Sequence, residues 1–187
     1  AVYDLGGGTF DAAVLQKHTD GFELLGQSVG VEHLGGMDFD EAVINHVITK
    51  LGARRPEGEL DDPAMMQNLA ILRRSCVEAK EALSTDEAAS IPVLLPGVGE
   101  NVEIHRSEFE QSIRPKVEDS IHALRRAIDG SGGAVDQLSQ VLLVGGSSRI
   151  PLIAQMVSAE LGRPGAIDTD PNFPIAKGAA LAAEPLD

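Results

Sequence analysis

The sequence predicts an α/β fold in two subdomains, and three observations carry that prediction. Short apolar runs with strand-like alternation fill the first thirty residues. Apolar residues then recur every three or four positions over 39–51 and 69–83, the spacing of one helix face. The last third turns to an apolar strand, a Gly-Gly bend and a helix, "LLVGGSSRIP". With 187 residues, 43% apolar and 3% aromatic, the chain is long enough for a real core, and that core is aliphatic.

Taken in order, "AVYDL" reads as a strand running into a glycine turn, "FDAAVLQ" as its return, and "FELLGQSVGV" as a third strand after the turn "HTDG". "GGMDFDEAVINHVITKL" predicts a helix capped by Asp38 with Glu41 completing a box, and Phe39, Val43, Ile44, Val47, Ile48 and Leu51 on one face. "GARRPEGELDDP" is a polar linker. From Pro63 to Ser84 the pattern is helical, with Leu69, Leu72, Cys76, Ala79 and Leu83 as its buried stripe. "ASIPVLLPG" and "ENVEIH" form a hairpin, and Ser107 with Glu110 caps a helix running to about Asp129 that Pro115 kinks or restarts. After "DGSGG" come the strand "QVLLVGG", the helix "SRIPLIAQMVSAELG" and a final helix "FPIAKGAALAAE". Residues 1–37 and 116–187 are expected to form the core subdomain, and 38–115 an inserted unit of helices and a hairpin.

A net charge of −14 argues against nucleic acid as a partner, because no basic patch exists to neutralise phosphates. The same charge implies that a polyphosphate ligand arrives with a divalent cation. No apolar run reaches the ~18 residues that span a bilayer, so no membrane role is expected. Cys76 is the single cysteine, which excludes an internal disulfide and fits a reducing cytoplasm. The five histidines are scattered and give no zinc spacing. Opening on Ala1 in mid-strand, the chain reads as part of something longer, and as a monomer.

Three segments could carry chemistry. In "DLGGGTFD", Gly6, Gly7 and Gly8 can turn backbone N–H groups toward an anion with no Cβ in the way, and Thr9 adds a hydroxyl. Asp4 and Asp11 would repel a bare phosphate but can hold a hydrated magnesium through its waters. Spacing alone leaves an ordinary acidic hairpin equally open. "LLVGGSSRIP" places Gly145, Gly146 and Ser147 at a strand-to-helix bend, with Arg149 as a planar cation able to stack on a base. Around "LRRSCVEAKEALS", Val77, Lys80, Glu81 and Ser84 cluster on one face, roughly 110° from the buried stripe at ~3.6 residues per turn. Taken alone, that face would be solvated.

On these segments the chain resembles the heat-shock protein 70 (DnaK-like) family, and more closely the second lobe of its actin-like, ribonuclease H-like ATPase domain. "DLGGGTFD" looks like the second phosphate motif, "HLGGMDFD" the glycine pair entering the inserted subdomain, "LRRSCVEAKEALS" the adenosine-binding helix, and "LLVGGSSRIP" the adenosine motif. They stand in the family's order over essentially the whole chain. The resemblance implies that Gly6, Gly7, Gly8 and Thr9 surround the β- and γ-phosphates of ATP or ADP, and that Asp4 and Asp11 order Mg2+ and the attacking water. It implies that Gly36 approaches the phosphate side, that Lys80 and Ser84 reach ribose and adenine, and that Gly145, Gly146, Ser147 and Arg149 line the opposite wall.

Departures from the family pattern fall on the nucleoside half. Val77 replaces a Glu, Met37 an acidic residue, Asn172 a common Asp, and Glu81 stands where an aliphatic or arginine side chain packs over the base. One lost hydrogen bond costs about 0.5–1.5 kcal/mol, which weakens a site without abolishing it. The first lobe, with its own phosphate loop and lysine, is expected elsewhere in the parent protein, with unfolded clients, a J-domain co-chaperone and a nucleotide exchange factor as further partners. Two alternatives stay open here: a degenerate relative that binds nucleotide or partners without useful hydrolysis, and a sugar or polyol kinase lobe of the same superfamily.

Overall fold

The computed structural model describes residues 1–54, 56, 62–162, 164–167 and 174–183. Half of the polar linker and the departure at Asn172 lie outside them. The chain divides into two compact units, Ala1–Gly36 with Pro115–Asp187, and Met37–Arg114.

The first unit is built on a five-stranded sheet. Strands β1 (Val2–Leu5), β2 (Thr9–His18) and β3 (Gly21–Glu32) form an antiparallel meander, joined by β6 (Leu142–Val144) and β7 (Ala166–Ile167) in the order β3-β2-β1-β6-β7. β6 runs parallel to β1, and β7 parallel to β6. Alternation along β1 and β2 decides which face is core. Tyr3 pairs with Ala12 and Leu5 with Phe10, and all four are buried. Residues opposite each other in an antiparallel pair share a face, so Asp4 and Asp11, the intervening pair, project from the other side. The Tyr3 and Phe10 rings meet in a tilted contact with centroids 4.5 Å apart. The Ser120 hydroxyl donates to Val117 O at 2.6 Å, so the phenol of Tyr3, 2.6 Å away, donates to it. That bond satisfies the only polar atom on a ring buried in aliphatic surroundings. A 3-10 turn, Gly146–Arg149, stands between β6 and helix α4 (Pro151–Leu161), and α5 (Pro174–Ala182) ends the described chain.

The second unit contains most of α1 (Gly36–Leu51), α2 (Pro63–Ala82), the hairpin of β4 (Ala88–Leu95) and β5 (Val98–His105), and the start of α3 (Arg106–Gly130). Its core collects Phe39, Val43, Val47 and Leu51 of α1, Leu72, Cys76 and Ala79 of α2, and Ile91, Val93, Val102 and Ile104 of the hairpin. Polar side chains fasten its outside. His46 and Lys50 on α1 reach Glu103 O and Glu108, and Arg54, just past the end of that helix, reaches Glu100.

Several local expectations are corrected. Ile48 is exposed, because 58% of its surface faces water, so the α1 stripe is narrower than its apolar residues suggest. Asp38 lies inside the first turn of α1 rather than before it, since the helix begins at Gly36, whose N–H is bonded to Gly6 O. At α3 the reaching carboxylate is Glu108, which accepts from His105 N–H at 3.0 Å, so the helix starts one residue before Ser107. Pro115 does not restart α3, which runs on without a break to Gly130. Asp62, by contrast, caps α2 by accepting from Ala64 N–H at 2.9 Å. Among the described residues, no helix is long and apolar enough to cross a membrane.

Candidate functional site

The glycine turn between β1 and β2 is the centre of the first unit's polar face. Gly6 N–H donates to Thr9 O at 3.0 Å and closes the turn. The Gly6 carbonyl is held from two directions, by Gly36 N–H at 3.0 Å and by the Ser147 hydroxyl at 2.9 Å. Three stretches far apart in sequence therefore meet on one oxygen. In a trans peptide the carbonyl and the following N–H point in opposite directions, and no peptide among the described residues is cis. Fixing Gly6 C=O inward consequently turns the Gly7 N–H outward. Gly7 is exposed, and a Cβ there would meet nothing within 4 Å. The turn presents a bare amide to open space.

Its rear is closed by glycines that have no alternative. A Cβ on Gly35 would lie 2.6 Å from Gly7 C and Gly8 N, so the turn before α1 presses backbone to backbone on the Gly7–Gly8 peptide. Gly145 holds φ +84°, and a Cβ there would lie 2.3 Å from Leu5 O and 2.8 Å from Asp4 Oδ1. Gly36 is buried at the head of α1, while Gly146 and Arg149 are exposed at either end of the 3-10 turn. Ser148, missed in the sequence reading, is fully buried and donates to Val144 O at 2.6 Å, locking that turn onto β6. The hydroxyl of its neighbour Ser147 ties the turn to Gly6.

Asp4 and Asp11 face each other across the strands, with Thr9 on their side. Burial, and then the negative charge of Asp11, push the Asp4 carboxyl above its ordinary value. Two carboxylates facing each other on one surface are a charge deficit that a cation relieves. Gly30 stands opposite Asp11 on β3, and even a methyl there would come within 3.0 Å of Asp11 Oδ1. The sheet therefore leaves this carboxylate its space. Among the described residues, no cluster of three or more His, Cys, Asp or Glu side chains is placed to cage a metal. Two carboxylates fit a magnesium ion that keeps most of its water and takes its remaining oxygens from a phosphate.

Lys80 and Ser84 belong to the second unit. Lys80 Nζ is 2.7 Å from Asp40 Oδ1. Ser84 follows the end of α2 and is half-buried, with its N–H bonded to Glu81 O at 3.1 Å. Val77 is half-buried on the same helix and Glu81 is exposed. The glycine turns and carboxylates thus come together within one unit, and Lys80 and Ser84 lie in the other.

Comparison with known proteins agrees over the whole chain. A family model described as Hsp70 protein matches residues 1–187. The chain is 39% identical over 186 residues to a protein named Chaperone protein HscA homolog from Pseudomonas putida. It is 35% identical to those named Chaperone protein HscA from Shigella boydii and from Escherichia coli. In each case all of this chain is covered and 28% of the relative, so the chain spans about a quarter of the length of these curated relatives. The chain belongs to the Hsp70 family, and its mixed α/β architecture is that of the family's actin-like ATPase domain.

Proposed function

We propose that the chain grips the phosphate tail of Mg–ATP on the Gly6–Gly8 turn, as the second lobe of an ATP-hydrolysing chaperone. The observation that carries this reading is the Gly6 carbonyl, held inward by Gly36 and Ser147 so that the Gly7 amide faces open space. Backbone donors fixed before a ligand arrives lose little on binding and act strongly on developing charge. Thr9 adds a hydroxyl on the acidic side.

The Asp4 and Asp11 carboxylates suit a magnesium ion held through water, and such an ion, when bound, offsets phosphate charge and draws electrons from the transferred phosphorus. Asp4 and Asp11 are well placed to orient a water by accepting hydrogen bonds from its O–H groups. Gly145, Gly146, Ser147 and Arg149 are the proposed nucleoside wall of the first unit, and Lys80 and Ser84 of the second unit are proposed to reach ribose and adenine. In these terms the first unit is the actin-like core subdomain and the second its insertion. The family match gives no support to a polyol-kinase reading. For the whole protein we propose client polypeptides, a J-domain co-chaperone and an exchange factor as partners, and slow ATP turnover as its motor.

Steady-state turnover of the full-length protein tests the assigned roles. Asp4→Asn and Asp11→Asn are each expected to lower kcat by about a hundredfold, the scale of losing one group that acts on transition-state charge. Turnover at the unsubstituted rate in both variants would overturn the assignment.

A further inference from the structure

Asp40 carries no assigned role, yet it sits where Lys80 needs it. It lies on α1, one turn past the start of that helix, and Lys80 lies on α2, one turn beyond Cys76. Their ion pair is 2.7 Å long, with the side chains only 13% and 20% exposed for Lys80 and Asp40. The surface pair Arg74–Glu78 is 83% and 63% exposed, and Lys50–Glu108 is 51% and 37% exposed. A covered pair is screened far less by solvent and salt than such surface pairs. Asp40 reaches the interior side of α2 as well, since its charge, after burial, helps push the Cys76 thiol up to about 11.

We propose that Asp40 is the positioning residue for Lys80, holding its ammonium in one direction and offsetting its charge so that Lys80 serves the neutral nucleoside rather than the phosphates. This rests on the nucleotide reading above. A lysine stem has four rotatable bonds and loses much freedom when ordered. The carboxylate of Asp40 supplies that ordering before a ligand arrives. An ammonium with a carboxylate beside it attracts a distant phosphate weakly, because the two charges largely cancel at range. It still donates at short range to a hydroxyl or ring nitrogen. Discrimination between the two ends of a nucleotide follows from that difference in range.

The test is calorimetry of the full-length protein with ADP, adenosine and inorganic pyrophosphate as separate probes. Asp40→Asn is expected to weaken ADP and adenosine alike by about tenfold, the scale of one charge-assisted hydrogen bond. Pyrophosphate should bind unchanged or more tightly. In a Lys80→Met background the same Asp40→Asn change should alter adenosine affinity less than about twofold. Equal losses with and without Lys80, or unchanged adenosine affinity in Asp40→Asn, would overturn the proposal. The ammonium signal of Lys80 in nitrogen-detected NMR gives a readout independent of ligand, expected in the unsubstituted protein and lost in Asp40→Asn; its persistence would also overturn the proposal. Should Asp40→Asn fail to fold, Lys80→Met alone must weaken adenosine about tenfold and leave pyrophosphate unchanged, or the proposal falls. Absence of ADP binding to the unsubstituted protein would instead sink the nucleotide reading itself, and this proposal with it.

Discussion

Gly6, Gly7 and Gly8 look interchangeable in the sequence, but their surroundings divide the labour between them. Gly6 supplies the carbonyl that two distant segments hold, and Gly7 supplies the outward amide. That division could not be read from "DLGGGTFD", because one of the fixing groups, Ser147, lies 141 residues away. Glycine substitutions separate folding from binding. Gly7→Ala adds a methyl to open space, so thermal stability should stay within about 0.5 kcal/mol while Mg–ATP affinity falls in calorimetry. Gly35→Ala drives a methyl into the Gly7–Gly8 peptide and should lower stability by about 1–3 kcal/mol in denaturant titrations. Asp4 makes a second prediction, with a definite sign. Burial and the Asp11 charge raise its folded value, so the folded state holds this proton more tightly than the unfolded chain does. Ionisation of Asp4 therefore destabilises the fold, fully above the folded value and not at all below the unfolded one. Asp4→Asn should raise Tm at pH 7 without magnesium, and the gain should vanish in melts near pH 3. A gain independent of pH would contradict this.

At the scale of elements, periodicity carried the sequence reading where a face is buried. Of the expected α2 stripe, Leu72, Cys76, Ala79 and Leu83 are buried while Leu69 is only half-buried, and the β4–β5 hairpin pairs in full register from Ala88↔His105 to Leu95↔Val98. Helix starts were less legible. The first residue of α1 has its N–H bonded to the Gly6 carbonyl, a tertiary partner that no local pattern announces. β7 is two residues long, too short to show a period, and exists through its pairing with β6. The start of α3 makes an element-scale prediction. The His105 N–H, ahead of the nearby Lys50 charge, holds Glu108 below the usual carboxylate range. A depressed folded value gives stability present above the unfolded value of 4.5 and lost as pH falls through the folded one. Glu108→Gln should thus lower Tm at pH 7 and match the unsubstituted protein near pH 2. An equal deficit at both pH values would show that Glu108 acts only through packing.

For the molecule as a whole, the residues proposed for the phosphate side lie close together in space, and the reason is topological. β1 is central, with β2 antiparallel on one side and β6 parallel on the other, so the turns after β1 and β6 emerge at the same edge of the sheet. Gly6–Gly8 and Gly145–Ser147 meet there as a consequence of strand order. The sequence offered both motifs; only the parallel pairing of strands more than 130 residues apart, as in Tyr3↔Leu143, brings them together. The net charge of −14 fits the proposed site, in which a polyphosphate would be held through fixed amides and a metal rather than through a basic surface. A crystal structure of the full-length protein with Mg–ADP and a phosphate mimic tests the central claim most directly. A terminal phosphate oxygen should lie within hydrogen-bond distance of Gly7 N, with the magnesium ion's waters against Asp4 and Asp11. A nucleotide bound elsewhere, with the Gly6–Gly8 turn facing bulk solvent, would contradict it.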